Sequence, residues 1–191
     1  MTRVPERVTT PYEGTGHRPW RAGTPVPAPL RLHRTTVPPE WVDYNGHMSE
    51  SCYLLAFGDN ADAFFRFLGI DEEYRAGGHS LYTVETHLHH RGEAVEGDPL
   101  AMSLRVLDAD AKRVHVFHEM VNADTEELLA TAEQMLLHVD TAAGRAAPMP
   151  PDLAERVEQV ARAHRVLPVP DTVGRPMRIP HRPGGGTWTS D

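Results

Sequence analysis

Asp43, Asn45, Gly46 and His47 crowd one short run, Asp43-Tyr44-Asn45-Gly46-His47-Met48-Ser49-Glu50, and a strongly apolar segment from Cys52 to Leu68 follows at once. A carboxylate, an amide, a glycine bend and an imidazole therefore share a loop that runs into a helix. The start of a helix carries unpaired backbone N–H groups and the positive end of the helix dipole. Chemistry at a carbonyl carbon needs a carboxylate that attacks or activates water, with N–H donors beside it for the oxygen that becomes negative. Asp43 suits the first role, and backbone N–H groups around Gly46 to Met48 suit the second. Asp-x-Asn-Gly is also turn chemistry, in which Asp43 bonds its own loop and Asn45 and Gly46 shape the bend. His47 either polarises the carbonyl and orients Asp43 or holds the loop through a backbone hydrogen bond. The residues alone leave both readings open.

The elements that must position this loop are legible from periodicity. Leu54, Phe57, Ala61, Phe64 and Leu68 recur at helical spacing, and Phe65 and Phe67 widen the apolar surface, which predicts a helix that is enclosed and ends at Gly69. A short strand from Leu30 to Val37 precedes it, stopped by Pro38-Pro39. After it, Leu81 to Arg91 alternates as a strand, with Tyr82, Val84 and Leu88 expected on one face and Thr83, Glu85, His87 and His89 on the other. Leu100 to Leu107, Val114 to Val121 and Leu128 to Val139 read as three more strands, separated by turns at Asp108 to Ala111 and at Asn122-Ala123-Asp124. Pro150-Pro151 opens a second helix, Asp152 to Arg165, acidic early and basic late as the dipole favours. A buried helix followed by meandering antiparallel strands is an α+β pattern in which the sheet curls around the helix.

Residues 1–29 read as an extended or disordered arm, 30–165 as the folded domain with its C-terminal helix, and 166–191 as a Pro/Gly-rich tail. Arg175 to Ile179 in that tail has the composition to pair on a sheet edge, although flanking prolines limit it. Across 191 residues, 40% are apolar and 24% charged, which is the balance of a globular domain. The formal net charge of −8 argues against nucleic acid as a partner and requires a local basic cluster for any anionic ligand. No run of roughly 18 apolar residues is present, so no membrane span is expected and the protein reads as soluble and cytoplasmic. A single cysteine, Cys52, excludes a disulfide framework. It is either a small buried side chain or a thiol made nucleophilic by a helix start.

With these elements in place, the core resembles the hotdog-fold acyl-CoA thioesterases of the 4-hydroxybenzoyl-CoA-thioesterase-like branch. It is closest to those of carnitine breakdown, which hydrolyse betainyl-CoA and are in some cases fused to a carnitine dehydrogenase. The resemblance rests on Pro39-Glu40-Trp41-Val42-Asp43-Tyr44-Asn45-Gly46-His47-Met48, Tyr82-Thr83-Val84-Glu85, Lys112-Arg113-Val114-His115 and the run Ala130 to Asp140. Ser49 stands where asparagine is more usual in the family's Gly-His-Met-Asn pattern. The resemblance implies a hotdog fold and a homodimer joined sheet edge to sheet edge, with active sites between subunits; dimers of dimers also occur.

It further implies an acyl-CoA substrate, with water completing the reaction. No metal or redox cofactor is required, and coenzyme A enters only as part of the substrate. Asp43 would act as nucleophile or general base, with Asn45 and His47 positioning the thioester and Gly46 and Met48 supplying loop N–H groups. Glu85 either faces the neighbouring subunit's Asp43 loop or faces solvent, and Glu133 is a weaker candidate of the same kind. Arg91, Lys112 and Arg113, with Arg105, are the candidate cations for the phosphates of coenzyme A, against a plain solvated role. Trp41, Tyr44, Tyr53 and Tyr82 are candidate faces for a quaternary ammonium, with Glu50 and Glu85 as counter-charges, against a plain core role. His87 and His89 share a strand face at a spacing that chelates zinc, but no second pair or thiolate cluster accompanies them, so no metal site is expected. Two rivals to hydrolysis are a hotdog hydratase or dehydratase, acting on the acyl chain, and a non-catalytic module that binds acyl-CoA or a partner protein.

Overall fold

The computed structural model describes residues 9–14, 20–21 and 23–177. The chain runs β1 (Leu30–Thr36), a 3₁₀ turn (Pro39–Trp41), α1 (Glu50–Leu68), α2 (Glu72–Ala76), β2 (His79–His90), β3 (Pro99–Ala109), β4 (Arg113–Asn122), β5 (Leu128–Asp140), β6 (Arg145–Ala146) and α3 (Pro151–His164). Among the described residues the strands form one antiparallel sheet in the order β1-β3-β4-β5-β2, with the short β6 paired to the end of β5. The sheet curls around α1, which is the hotdog fold. Among the described residues no helix is long and apolar enough to cross a membrane.

Side chains of α1 fill the concave face of the sheet. Its N-terminal half packs Tyr53, Ala56 and Phe57 against Met102, Met120, Ala130 and Ala132. The C-terminal half packs Phe64 and Leu68 against Leu104, Val116 and Leu136. Phe57, Phe64 and Leu68 are wholly buried, and removing a ring of that kind typically costs about 3–5 kcal/mol through lost transfer energy and the cavity left behind. Gly69 stops the helix as expected: it adopts φ 88°, and its N–H reaches back to the Arg66 and Phe65 carbonyls. Leu54 departs from the expected apolar stripe and is 45% exposed, because it falls on the side of α1 that neither sheet nor α3 covers.

Polar groups also enter this core. The Asn60 amide of α1 donates to the Ser103 carbonyl at 3.3 Å and meets His118 Nδ1 at 2.9 Å. Burial pushes the His118 imidazole down to about 3, so it is held neutral. Arg66, only 2% exposed, pairs with Asp62 at 3.7 Å and with Glu72; this bond draws the Glu72 carboxyl down to about 2.

α3 closes the far end of the curl, setting Leu153, Val157, Val160 and Ala161 on Leu104, Val106 and Val114. His164 at its end accepts the Val106 N–H through Nδ1 and so donates through Nε2 to the Pro27 carbonyl, each at 2.9 Å. Described residues before β1 touch the domain: Thr10 Oγ1 donates to Asp62 at 2.6 Å, and the Trp20 ring stacks on Phe67. After α3, the chain crosses the outer face of the sheet. Arg105 donates to the Pro168 carbonyl and the Gly174 N–H to Glu133, both at 2.9 Å. Within the predicted edge segment, Arg175 to Met177 form no strand, and Arg178 and Ile179 lie outside the described residues.

The alternation expected along β2 is corrected by a bulge between Thr83 and Glu85. Tyr82 pairs with Leu137, Glu85 with Met135, His87 with Glu133 and His89 with Thr131, so these four share the outer face. Thr83, Thr86, Leu88 and His90 pair with Leu136, Gln134, Ala132 and Ala130 and point toward α1. The inserted residue moves Tyr82 onto the face of Glu85, where strict alternation had separated them. The short α2 was not read from the sequence, although Asp71 caps it by accepting the Tyr74 N–H at 2.9 Å, ahead of Glu72 and Glu73.

Candidate active site

The loop from Val42 to Ser49 is held at both ends and folded on itself. Val42 and Met48 form an isolated antiparallel bridge, the Ser49 N–H donates to the Trp41 carbonyl at 2.8 Å, and the Met48 N–H donates to the Ala94 carbonyl at 2.8 Å. Inside it, the Asp43 N–H donates to the His47 carbonyl and the Gly46 N–H to the Asp43 carbonyl, both at 3.0 Å. Gly46 takes φ 80°, a left-handed value that glycine adopts without strain. Asp43 Oδ1 accepts the Asn45 N–H at 2.8 Å, which is the Asx-turn bond. Oδ2 takes no hydrogen bond among the described residues, so one carboxylate oxygen serves the turn and the other is free.

This pattern narrows the expected oxyanion donors. The Gly46 and Met48 N–H groups are both spent inside the fold. The His47 N–H between them takes no bond among the described residues, and further free donors follow at the start of α1. Ser49, the residue before α1, makes no side-chain cap bond, and no described residue accepts the Glu50 or Ser51 N–H. Two dipole-end donors thus stand open just beyond Asp43.

His47 Nε2 lies 3.2 Å from Glu93 Oε2, a partner the sequence reading missed because Glu93 sits in an aperiodic stretch after β2. Tyr53 explains why that stretch is fixed. Its side chain is 3% exposed, its hydroxyl donates to the Gly92 carbonyl at 3.3 Å, and it accepts the Ala94 N–H at 3.2 Å. Its ring meets His90 edge-on with centroids 4.9 Å apart. Tyr53 therefore braces the segment that holds Met48, and in the protomer it is not an open aromatic wall. Trp41 is half-buried against the α1 core, Tyr44 stands 96% exposed at the loop tip, and Tyr82 lies on the outer face of β2. The four aromatics do not converge within one protomer. Cys52, next to the site, is half-buried and packs on the same core.

Glu85 is likewise apart from Asp43. It lines a cavity of about 260 Å³ on the outer face with His87, His115, Glu133, Met135 and Gly174. Glu133 there accepts from His115 Nε2 at 2.8 Å. No hydrogen bond or ion pair joins Glu85 to the Asp43 loop among the described residues. No cluster of three or more metal-ligating side chains occurs among those residues either.

The candidate cations also divide. Arg91 is exposed where β2 ends, near the Asp43 loop, and its N–H donates to the Leu129 carbonyl. Lys112 and Arg113 sit at the β3–β4 turn, at the opposite end of the sheet. Arg113 pairs with Leu137 of β5 whereas His90 pairs with Ala130, a separation of roughly 23 Å at strand rise. Arg113 is also engaged: its Nε donates to Asp110 at 2.8 Å, and that guanidinium holds the Asp110 carboxyl down to about 2. Arg105 pairs with Glu119 at 2.9 Å.

Comparison with known proteins agrees with this architecture. The family profile of the Thioesterase-like superfamily matches residues 37–157. Over 147 residues the chain is 47% identical to an L-carnitine dehydrogenase/betainyl-CoA thioesterase of Rhizobium meliloti, covering 77% of this chain and 30% of that protein. The chain thus spans under a third of such two-activity relatives. It is also 43% identical over 152 residues to a betainyl-CoA thioesterase of Pseudomonas aeruginosa, covering 79% of this chain and 96% of that one. Among solved structures, a candidate thioesterase of Pseudomonas putida superposes with a TM-score of 0.71 at 36% identity, covering 82% of this chain and all of that one. The chain, with a free Asp43 oxygen on the loop that leads into α1, is thus a member of the Thioesterase-like superfamily.

Proposed function

We propose that this chain is a cytoplasmic acyl-CoA thioesterase that hydrolyses a short acyl-CoA, betainyl-CoA first, without a metal or redox cofactor. One observation carries the chemistry: Asp43 keeps an unbonded Oδ2 on the loop that leads into the open N–H groups of Glu50 and Ser51. The thioester carbonyl oxygen takes the two N–H groups, which are worth most as that oxygen turns negative. Asp43 either attacks the carbonyl carbon, giving a mixed anhydride that water cleaves, or takes the proton of an attacking water. In both routes the carbon–sulfur bond breaks and the sulfur leaves as the thiol of coenzyme A; the water oxygen enters the carboxylate product directly in the general-base route, and in the anhydride route it enters whichever carboxyl carbon the water attacks, the product or Asp43. His47, oriented by Glu93, and Asn45 shape the loop around the reacting carbon. The choice of betainyl-CoA is supported by the Pseudomonas aeruginosa relative, a betainyl-CoA thioesterase whose length the chain nearly spans.

The working unit in this reading is a homodimer. β2 is the longer of the two edge strands, pairs only with β5 among the described residues, and exposes Tyr82 and Val84 by 52% and 55%. A long bare edge of this kind is a template for another strand, and a two-fold contact joins it to itself. Antiparallel pairing about the middle of β2 brings the partner's β3–β4 turn toward this protomer's Asp43 end. Lys112 from one subunit and Arg91 from the other then serve one coenzyme A, and Glu85 comes to the subunit boundary.

The test is thiol release from betainyl-, acetyl-, hydroxybenzoyl- and long-chain acyl-CoA, with oligomeric state measured by light scattering. Selective betainyl-CoA cleavage by a dimer is expected. Cleavage of another ester in its place removes the betainyl assignment and keeps the thioesterase. Binding of esters without turnover moves the chain to the non-catalytic binding module. Change in the acyl chain without thiol release marks it as a hydratase or dehydratase.

A further inference from the structure

The start of β2 carries an open depression of about 410 Å³, walled by Asp71, Glu73, Tyr74 and Gly77 of the α2 segment with His79 and Arg156. Its volume falls in the range of small-molecule sites, about 300–1,000 Å³. Tyr74 is its fixed aromatic. His138 Nδ1 donates to the Ala147 carbonyl at 2.9 Å, which leaves Nε2 to accept the Tyr74 hydroxyl at 2.6 Å. His138 is wholly buried, so the ring is anchored on a rigid partner. Asp71 caps α2 through the Tyr74 N–H, whereas the exposed Glu73 carboxylate takes no hydrogen bond or ion pair among the described residues. Arg156 donates to the Leu68 carbonyl at 2.8 Å. Two carboxylates face one guanidinium, so these walls attract cations.

Within one protomer the depression is at the wrong end of β2 for Asp43. The strand runs from His79 to His90, and the Asp43 loop is tied beyond the His90 end by the bond from the Met48 N–H to the Ala94 carbonyl. Antiparallel pairing of β2 with its own copy reverses this. The His79 end of one subunit then meets the His90 end of the other. Both features also lie on one face of the sheet. His79 is two residues from Leu81, which packs in the core against α1, and the Asp43 loop leads into α1.

We propose that the Tyr74 depression of each subunit receives the acyl group reacting at its partner's Asp43, with the Tyr74 ring facing the quaternary ammonium of a betainyl group and Glu73 supplying a counter-charge. An aromatic face attracts such a cation through its ring quadrupole, and a nearby carboxylate adds to the attraction. Trp41, Tyr44, Tyr53 and Tyr82 do not converge in the protomer. Tyr74 is far from Asp43 along the chain and comes to it only across the subunit boundary. This inference rests on the thioesterase and homodimer reading above and assigns its acyl selectivity to named residues in trans.

The test is the ratio of kcat/KM for betainyl-CoA to that for tert-butylacetyl-CoA, which has the same shape and no charge. The ammonium also activates its own carbonyl, so the readout is the change in this ratio between wild type and variants. Tyr74→Leu is expected to lower it about fivefold to thirtyfold, the range of a cation–π contact, and Glu73→Gln to lower it about twofold or more. Tyr74→Phe loses the same bond to His138 but keeps the ring, so its ratio is expected to follow wild type. An unchanged ratio in Tyr74→Leu overturns the pocket and keeps the thioesterase. An equal fall in Tyr74→Phe also overturns it, since Tyr74 then acts only through His138. Placement in trans is read from heterodimers of Asp43→Asn and Tyr74→Leu subunits, purified through two different tags. One of their two sites then keeps both native residues, so about half of the wild-type betainyl-CoA hydrolysis is expected, at the wild-type ratio. A heterodimer with the ratio of Tyr74→Leu overturns the trans assignment. Wild type that cleaves neither ester removes the thioesterase reading and the pocket together.

Discussion

Replacing Asp43 with asparagine separates the two uses of its carboxylate. Oδ1 accepts the Asn45 N–H at 2.8 Å, and the backbone of Asp43 makes two further bonds at 3.0 Å to Gly46 and His47. An asparagine carbonyl keeps the first bond, and the main chain keeps the other two. The loop should therefore hold its shape, with stability changed by no more than about 0.5 kcal/mol, as for a surface change that loses no partner. What disappears is the charged, unbonded Oδ2. A positioned base contributes about 10²–10⁴ in rate, which at 1.36 kcal/mol per decade is about 3–5 kcal/mol of barrier. Thiol release should fall by at least a hundredfold in kcat/KM while the urea midpoint stays near wild type. Asp43→Ala loses the turn bond as well, worth about 0.5–1.5 kcal/mol, and should shift both readouts. Asp43→Asn with more than about a tenth of wild-type activity would refute the chemical role and leave Asp43 as a turn residue.

Two further outcomes follow from buried groups. Tyr53→Phe strips the acceptor from the Ala94 N–H, at a cost of about 1–3 kcal/mol for an unpaired buried donor. Thermal melts should show a drop of several degrees, and an unchanged melting temperature would mean that the hydroxyl does not brace the loop. His118 makes the fold acid-sensitive: its imidazole takes a proton near 6.5 when unfolded but only near 3 when buried. Protons therefore favour the unfolded chain as pH falls below 6.5, and the loss continues toward pH 3, at up to about 1.4 kcal/mol per pH unit. His33 and His164, both pushed down mainly by burial, act in the same direction. Asp59, pushed up to about 6 by burial and by Asp62, opposes them below that pH by favouring its protonated, folded form. Denaturant midpoints at neutral and acid pH should differ less in His118→Gln than in wild type, and an equal slope in both would place the acid sensitivity elsewhere.

By itself the sequence determined the elements. The apolar spacing from Phe57 to Leu68, the stop at Gly69 and the runs that become β2 to β5 are local patterns, and the hotdog fold is how such a helix and sheet bury each other. The motif from Asp43 to Met48, with the strands after it, was enough to reach the right family. What each loop group is free to do was settled only by tertiary contacts. Gly46 and Met48 looked like donors until their N–H groups were seen bonded to Asp43 and Ala94. Tyr53 looked like an open aromatic until its hydroxyl was seen spent on Gly92 and Ala94. A single extra residue at the β2 bulge set Tyr82 on the face of Glu85, a register event that no residue's own propensity encodes. Lys112 and Arg113 proved distant from Asp43 because strand direction, not separation along the chain, sets which loops share an end of the sheet. Periodicity reports how a residue relates to its neighbours in sequence, whereas the vacancy of a hydrogen-bonding group depends on atoms far along the chain, as Ala94 is from Met48.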